Sequence, residues 1–209
     1  MRVKHVRRQT FARNIDLEEV VRTYTKGRPI FSAIGPHAPL IVESGWVAKV
    51  RHLQDGRRQI VSLVLPSEMI IPPGAGGDAS TAAVSIGRVV CRALTSGRKS
   101  AEMLESLHPF EREWTENQMV RLGRMDAREK LSHLILEVQS RLARALGDLP
   151  STFPFPLTNE DLGDLLGMTI IHASRTIVAM NSQNLVRLKR RELTILDPEG
   201  LAAAAPKMV

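Results

Sequence analysis

The sequence predicts an α+β fold in three stretches: an N-terminal β-roll of jelly-roll type, a long helical segment, and a C-terminal helical pair followed by a hairpin. Three observations predict it. Val-, Ile- and Leu-rich runs broken by Gly, Pro and Asp fill residues 29–94, as in small rolls and barrels. From Lys99 the apolar residues recur every three to four positions, the period of an amphipathic helix. After a Gly/Pro-rich break at 147–156 come two short helical patterns joined by a glycine, then two strand-like runs around Lys189-Arg190-Arg191. The expected organisation is a basic arm with a short helix at 1–28, the roll at 29–98, the helical region at 99–147 and a C-terminal domain at 148–209.

Composition narrows the function classes. The chain has 209 residues, 43% hydrophobic and 24% charged, which excludes wholesale disorder. Twenty-nine Lys and Arg against 22 Asp and Glu give +7, a balance that favours an acidic partner, nucleic acid before a membrane surface. Cys91 is the only cysteine, so an internal disulfide, a Cys-based zinc site and an iron–sulfur cluster within one chain are excluded. The six histidines never fall at i, i+4 and no HExxH occurs, so no metal site is expected. The basic start MRVKHVRR has no apolar run behind it, unlike a secretory signal. No apolar run approaches the ~18 residues of a membrane span. The expectation is a cytoplasmic protein with no membrane partner. No nucleophile–base–acid constellation stands out, so a non-enzyme is expected.

Residues 1–28 carry eight Lys/Arg and three acids. The first dozen read as a loose arm, and Asp16–Tyr24 as a short helix capped by Asn14 or Asp16. The roll reads as six to eight short strands. Asp55-Gly56 between two apolar runs signals a hairpin, because type I′ turns need positive φ. Residues 66–80, with Pro66, Pro72, Pro73, Gly74, Gly76 and Gly77, read as a loop. It is not a P-loop, since no Gly-Lys-Ser/Thr follows. The helical stripe runs Met103, Leu107, Phe110, Trp114, then Leu131, Leu134/Ile135, Val138, Leu142, Leu146. Arg128, Glu129, Glu137, Arg141 and Arg144 occupy the opposite face, giving one long amphipathic helix or two in series.

Residues 156–182, PLTNEDLGDLLGMTIIHASRTIVAMNS, carry the functional argument. Thr158 is a good N-cap, with Asp161 three residues on as an imperfect capping box. Leu157, Leu162, Leu165 and Leu166 give one apolar face and Gly167 the stop. Thr169 caps a second helix with Ala173, Ile177 and Met180 inward, and Ile171, Ser174, Arg175 and Val178 outward. This is the layout of a helix-turn-helix. Such a pair places its second helix, about 169–181 here, in the DNA major groove. Arg175 suits guanine O6/N7, and Ser174 or Thr169 a phosphate or base edge. His172 lies on the same helix and can touch phosphate, which would make binding pH-sensitive. The basic tip Lys189-Arg190-Arg191 of the following hairpin suits backbone phosphates. Residues 157–209 nevertheless hold six Lys/Arg and six Asp/Glu, so the module is basic only locally.

These motifs resemble those of the bacterial Crp/Fnr family of transcription regulators over nearly the whole chain. The matching residues are Leu157-Thr158-Asn159-Glu160-Asp161-Leu162, Leu166-Gly167 and Thr169 to Arg175. Gln183-Asn184-Leu185-Val186 fits the lead into the wing. Asp126 to Leu131 with Leu134 to Glu137 resembles the end of the family's dimerisation helix. Ser44-Gly45-Trp46-Val47 and Asp55 to Ile60 resemble its cyclic-nucleotide-binding-like roll. The resemblance implies a winged helix-turn-helix and a homodimer joined through the long helix. It also implies a palindromic operator in double-stranded DNA and contact with RNA polymerase. The residues it assigns to DNA are Thr158, Thr169, Ile171, His172, Ser174, Arg175, Lys189, Arg190 and Arg191. Two departures stand out. Ile171 replaces the family's glutamate, so it either offers apolar contact to a thymine methyl or packs inward. The stretch Pro72 to Thr81 lacks the arginine of the family's phosphate cassette, so no tight cyclic AMP binding and no cofactor are expected. Haem through Cys91 or His37 is less favoured than a small buried cysteine. The alternatives are an effector-binding or protein-interaction module with decayed DNA binding, and a cyclic-nucleotide-type enzyme regulatory subunit, against which the wing argues.

Overall fold

The computed structural model describes residues 3–6, 19–31, 38–72, 80–94 and 112–207. The chain divides into two compact units, Met1–Val50 with Leu63–Glu111 and Arg51–Ser62 with Arg112–Val209.

The first unit is built on an antiparallel sheet. The sheet's strands are β1 (Val3–Val6), β2 (Glu19–Tyr24), β3 (Leu40–His52), β4 (Arg58–Val64), β5 (Met69–Ile70) and β6 (Ala82–Ala93), in the order β1-β2-β6-β3-β4 with β5 paired to β3; the end of β3, the turn and the start of β4, Arg51–Ser62, belong to the second unit. Tyr24, Leu40, Val42, Val47, Val64, Ile70, Val89 and Cys91 form its core. Cys91 is fully buried, and that burial pushes its thiol up to about 12. A thiol held neutral this way is inert, since reactivity needs the thiolate.

Three expectations for this region are corrected. Residues 19–24 form a strand, not part of a short helix: Val20, Val21 and Thr23 are β-branched and stiff at χ1, and Val21–Tyr24 pair with Val89–Arg92 of β6. Val3–Val6, expected in a loose arm, pair with Glu19–Arg22; residues 7–18 lie outside the described set. Between residues 29 and 94 the described strands are fewer and longer than expected, β3 having 13 residues and β6 having 12. The reason is at Gly45, which punctuates the sequence without ending the strand. The β3–β6 register shifts on both sides of Ser44, and Gly45 sits at φ 80°. A Cβ there would lie 2.2 Å from the Arg88 carbonyl oxygen. Glycine therefore lets a bulged strand run on through this point. The 66–80 loop likewise contains β5; its residues 73–79 lie outside the described set.

The Asp55-Gly56 hairpin forms as expected, joining β3 to β4 with Gly56 at φ 85°.

In the second unit the helical region is two helices in series. Helix α1 covers 112–124 in the described residues, and α2 is Ala127–Leu146; the Met103–Phe110 part of the stripe lies outside them. Asp126 starts α2 by a full capping box with Glu129, and Gly147 ends it in the left-handed region. Leu131, Leu134, Ile135, Val138 and Leu142 are buried. Then follow β7 (Thr152–Pro154), α3 (Asn159–Leu166), α4 (Ile170–Ser182), β8 (Val186–Lys189), β9 (Glu192–Ile195) and α5 (Pro198–Ala203). The small sheet has the order β7-β9-β8. Strand β7 sits in what the sequence marked only as a Pro-rich break. Proline is tolerated there because β7 is an edge strand.

Candidate nucleic-acid interface

The first helix of the pair is fixed at both ends by its own sequence. The Asp161 backbone N–H donates to Thr158 Oγ1 at 3.1 Å, and the Thr158 N–H donates to Asp161 Oδ2 at 2.9 Å. The capping box is therefore complete, and each orphan donor of the first turn that it reaches is satisfied. The Thr158 hydroxyl also donates to Asp161 Oδ2 at 2.7 Å, so both of its hydrogen-bonding roles serve the cap. Leu157, Leu162, Leu165 and Leu166 are buried as expected. Gly167 closes the helix at φ 62°, ψ 45°.

Helix α4 starts three residues later. Thr169 Oγ1 accepts from the His172 N–H at 3.1 Å. The inner face is Ala173, Thr176 and Met180, all buried, with Ile177 half-buried at its edge. Thr176 was not foreseen. Its hydroxyl donates to the His172 carbonyl at 2.9 Å, which satisfies its polarity within the helix. The outer face carries exposed His172 and Arg175, half-buried Ser174, and three exposed apolar side chains, Ile170 (54%), Ile171 (64%) and Val178 (63%). Ile171 thus points to solvent; the inward-packing alternative is removed. Ile171, Arg175 and Val178 recur at i, i+4 and i+7 and share one face.

The wing is tied to the end of α4. The Leu185 N–H donates to the Met180 carbonyl and the Leu188 N–H to Asn181 Oδ1, both at 3.1 Å. Lys189 pairs with Glu192, leaving Arg190 and Arg191 as a two-residue turn at φ 51° and 63°. Such turns ordinarily use Asn and Gly. Two arginines in the left-handed region carry a conformational cost, and strain of this kind gathers at functional positions. Lys189, Arg190 and Arg191 are exposed. The Arg191 guanidinium also donates to the Pro156 carbonyl, tying the tip to the segment before α3.

Behind the helical pair lies a polar network that the sequence placed on an outer face. Glu137 and Arg141 are inside: their side chains are 10% and 3% exposed. Arg121, itself 2% exposed, donates to Glu137, to Gln118 and, at 2.9 Å, to His133 Nδ1. Arg141 donates to Glu137 Oε1 at 3.1 Å and stacks 3.8 Å from the Trp114 ring centroid. The periodicity was right but the face is wider than the apolar stripe, because paired charges fill its margin.

Burial and the adjacent Arg121 hold the His133 imidazole below the usual histidine range, against a weaker opposite pull from Glu137. The unfolded chain takes up this proton near pH 6.5, whereas the folded chain stays neutral to lower pH. The contribution is therefore intact above about pH 6.5 and is lost as acidity increases. Urea melts are expected to show stability falling from pH 6.5 to about 5.5, with a shallower fall in His133→Gln, whose amide oxygen still accepts from Arg121.

No group of three or more His, Cys, Asp or Glu side chains able to hold a metal occurs among the described residues. His37 and most of the Pro72–Thr81 stretch lie outside them. No helix among them is long and apolar enough to cross a membrane.

A family model described as the Crp-like helix-turn-helix domain matches residues 129–204. The chain is 33% identical over 164 residues to the nitrogen fixation regulation protein FixK of Bradyrhizobium diazoefficiens, covering 73% of this chain and 68% of that protein. The chain belongs to the Crp/Fnr family of transcriptional regulators. A second Crp/Fnr relative, the transcriptional activatory protein AadR of Rhodopseudomonas palustris, is 32% identical over 74% of this chain and 64% of its own length. The chain thus spans about two thirds of these relatives. Among solved structures, FixK2 from Bradyrhizobium japonicum superposes with a TM-score of 0.77 at 24% identity, over 92% of this chain and all of that one. A CRP-family regulator of Thermus thermophilus gives 0.69 at 15% identity, over 88% and 96%. The α+β Crp/Fnr architecture expected from the sequence is the one found. The Crp-like match starts at Glu129, and α2 packs against α3, α4 and α5. Within the segment Asp126–Glu137, Asp126 caps α2 and the rest forms its first three turns.

Proposed function

We propose that this Crp/Fnr protein is a sequence-specific DNA-binding transcriptional regulator that acts as a homodimer on a palindromic operator, without cyclic AMP. The observation that carries the reading is the exposed stripe Ile171–Arg175–Val178 on a helix capped at Thr169 and braced by α3 and the wing. Arg175 offers two parallel donors for guanine, and Ile171 and Val178 offer methyl groups for thymine C5. Thr169, His172 and Ser174 flank them toward phosphate and base edges. Lys189, Arg190 and Arg191 take backbone phosphates, which position without specifying. Thr158 acts through the α3 cap. For the dimer, α1 offers exposed Met119 (69%) and Val120 (43%), large apolar side chains suited to a partner helix. Half-sites would then lie about one helical turn, ~34 Å, apart. Contact with RNA polymerase, and the cytoplasm as compartment, follow from the family.

The test is selection of the full chain's targets from random duplex DNA, with binding measured across salt. The expected result is an inverted repeat, and a log–log salt slope of several units. Ile171→Glu is expected to change the preferred base at one position in each half-site, toward cytosine, whose N4 donates to a carboxylate. An unchanged preference would show that Ile171 reads nothing. The equal number of acidic and basic residues in 157–209 favours a second reading, a protein-interaction module with decayed DNA binding; a flat salt response would support it.

A further inference from the structure

The hairpin tip Arg51–Ser62 belongs to the same compact unit as the C-terminal helices. Two of its residues meet α3. Arg58 Nε donates to Asp164 Oδ2 at 2.5 Å, and Arg58 Nη2 to Asp161 Oδ1 at 3.1 Å, with Glu160 at 3.9 Å. Gln59 Nε2 donates to the Asp164 carbonyl at 2.5 Å and approaches the Leu165 carbonyl at 3.4 Å. Gln118 Nε2, from α1, donates to the same Leu165 carbonyl at 2.5 Å.

These bonds answer a local deficit. The last carbonyls of a helix have no partner within it, and that end carries partial negative charge. Helix α3 has no basic residue in its last turn, and it places Asp164 there instead. The cation and the amide donors come from outside, more than a hundred positions away in the case of Arg58 and Asp164. The anchored carbonyls of Asp164 and Leu165 precede by only a few residues the turn that launches α4. That turn is tight: Met168 N–H donates to the Gly163 carbonyl at 3.1 Å, and a Cβ on Gly163 would lie 2.7 Å from the Met168 oxygen.

We propose that Arg58 and Gln59 are positioning residues for DNA binding: by holding the C-terminal turn of α3 they fix the turn at 167–169 and so the angle at which α4 meets the duplex. The proposal rests on the reading of α4 as the DNA-contacting helix. The two carboxylates and two carbonyls that these side chains engage leave α3 little freedom to rotate without breaking charge-assisted bonds, the strong class of hydrogen bond.

The test uses the full chain and the operator selected with it. Arg58→Gln and Gln59→Met are measured for affinity across salt, for base preference and for thermal unfolding. Each is expected to bind about tenfold more weakly, the scale of one lost hydrogen bond converted to affinity. The salt slope and base preference are expected to stay as in wild type, and Arg58→Lys to recover part of the loss. A salt slope reduced by about one would make Arg58 a phosphate contact and overturn the proposal. So would a lower melting temperature with wild-type affinity below it, since that is a purely structural role. Should Arg58→Gln fail to fold, Gln59→Met, which keeps the ion pairs, decides alone. Wild type failing to bind any duplex would instead sink the DNA reading; wild-type binding with intact variants sinks only this proposal.

Discussion

Arg175→Ala is expected to weaken binding to the selected operator by roughly 5- to 150-fold at fixed salt, the range of ~1–3 kcal/mol that a bidentate arginine–guanine pair contributes to discrimination. The loss is expected mainly in specificity. Binding to unrelated duplex is held by phosphate contacts and falls much less. Thermal stability is expected to hold, because Arg175 is exposed and Ala173, Thr176 and Met180 form the packed face of α4. Arg175→Lys separates charge from geometry. The ammonium keeps the long-range attraction but lacks the planar fork, so base preference at the contacted position is expected to relax although the net charge is unchanged. Titrations against operator and scrambled duplex, each at two salt concentrations, give both quantities. Equal losses on both duplexes would make Arg175 a phosphate ligand.

What the sequence revealed was what is local. Thr158, Asp161, Gly167 and Thr169 act within four residues of the groups they satisfy, so the caps and the turn of the helical pair could be read before any fold was known. The hairpin at Gly56 and the wing are local in the same sense. What escaped depends on partners distant in sequence. Residues 19–24 became a strand because β6 lies beside them, and no cap competes with a row of ladder hydrogen bonds. Gly45 continues a strand because the Arg88 backbone passes close to it. Glu137 and Arg141 looked like solvent-facing charges on a helical wheel, yet Arg121 and Trp114 cover them. Arg58 gave no signal at all, because its meaning lies in Asp161 and Asp164. In the candidate interface the exposed stripe on α4 was legible and its supports from other elements were not: a stripe repeats along one helix, whereas a support is a contact between elements.

Glu137→Ala is expected to destabilise the protein by about 3–5 kcal/mol in denaturant melts, the cost of leaving buried charge without its partner. The carboxylate stands between two guanidinium groups, those of Arg121 and Arg141, with side chains only 2% and 3% exposed. Its removal takes away the carboxylate that the two guanidinium groups share. The stacking of Arg141 on Trp114 survives the change, and at ~0.5–2 kcal/mol it cannot compensate. Glu137→Gln is expected to cost less, because the amide oxygen still accepts one hydrogen bond while its charge is gone. The exposed pair Arg112–Glu116, with side chains 82% and 61% accessible, supplies the contrast: Glu116→Ala is expected to change stability by less than about 1 kcal/mol. The ranking Glu137→Ala, Glu137→Gln, Glu116→Ala thus separates burial from mere ion pairing. It also bears on the helical pair. Arg121 holds the Gln118 side-chain oxygen, and the nitrogen of the same amide caps the Leu165 carbonyl at the end of α3. Loss of Glu137 therefore loosens one of the fixings of the helical pair, and operator affinity of the folded Glu137→Gln protein is expected to fall while that of Glu116→Ala stays at the wild-type value.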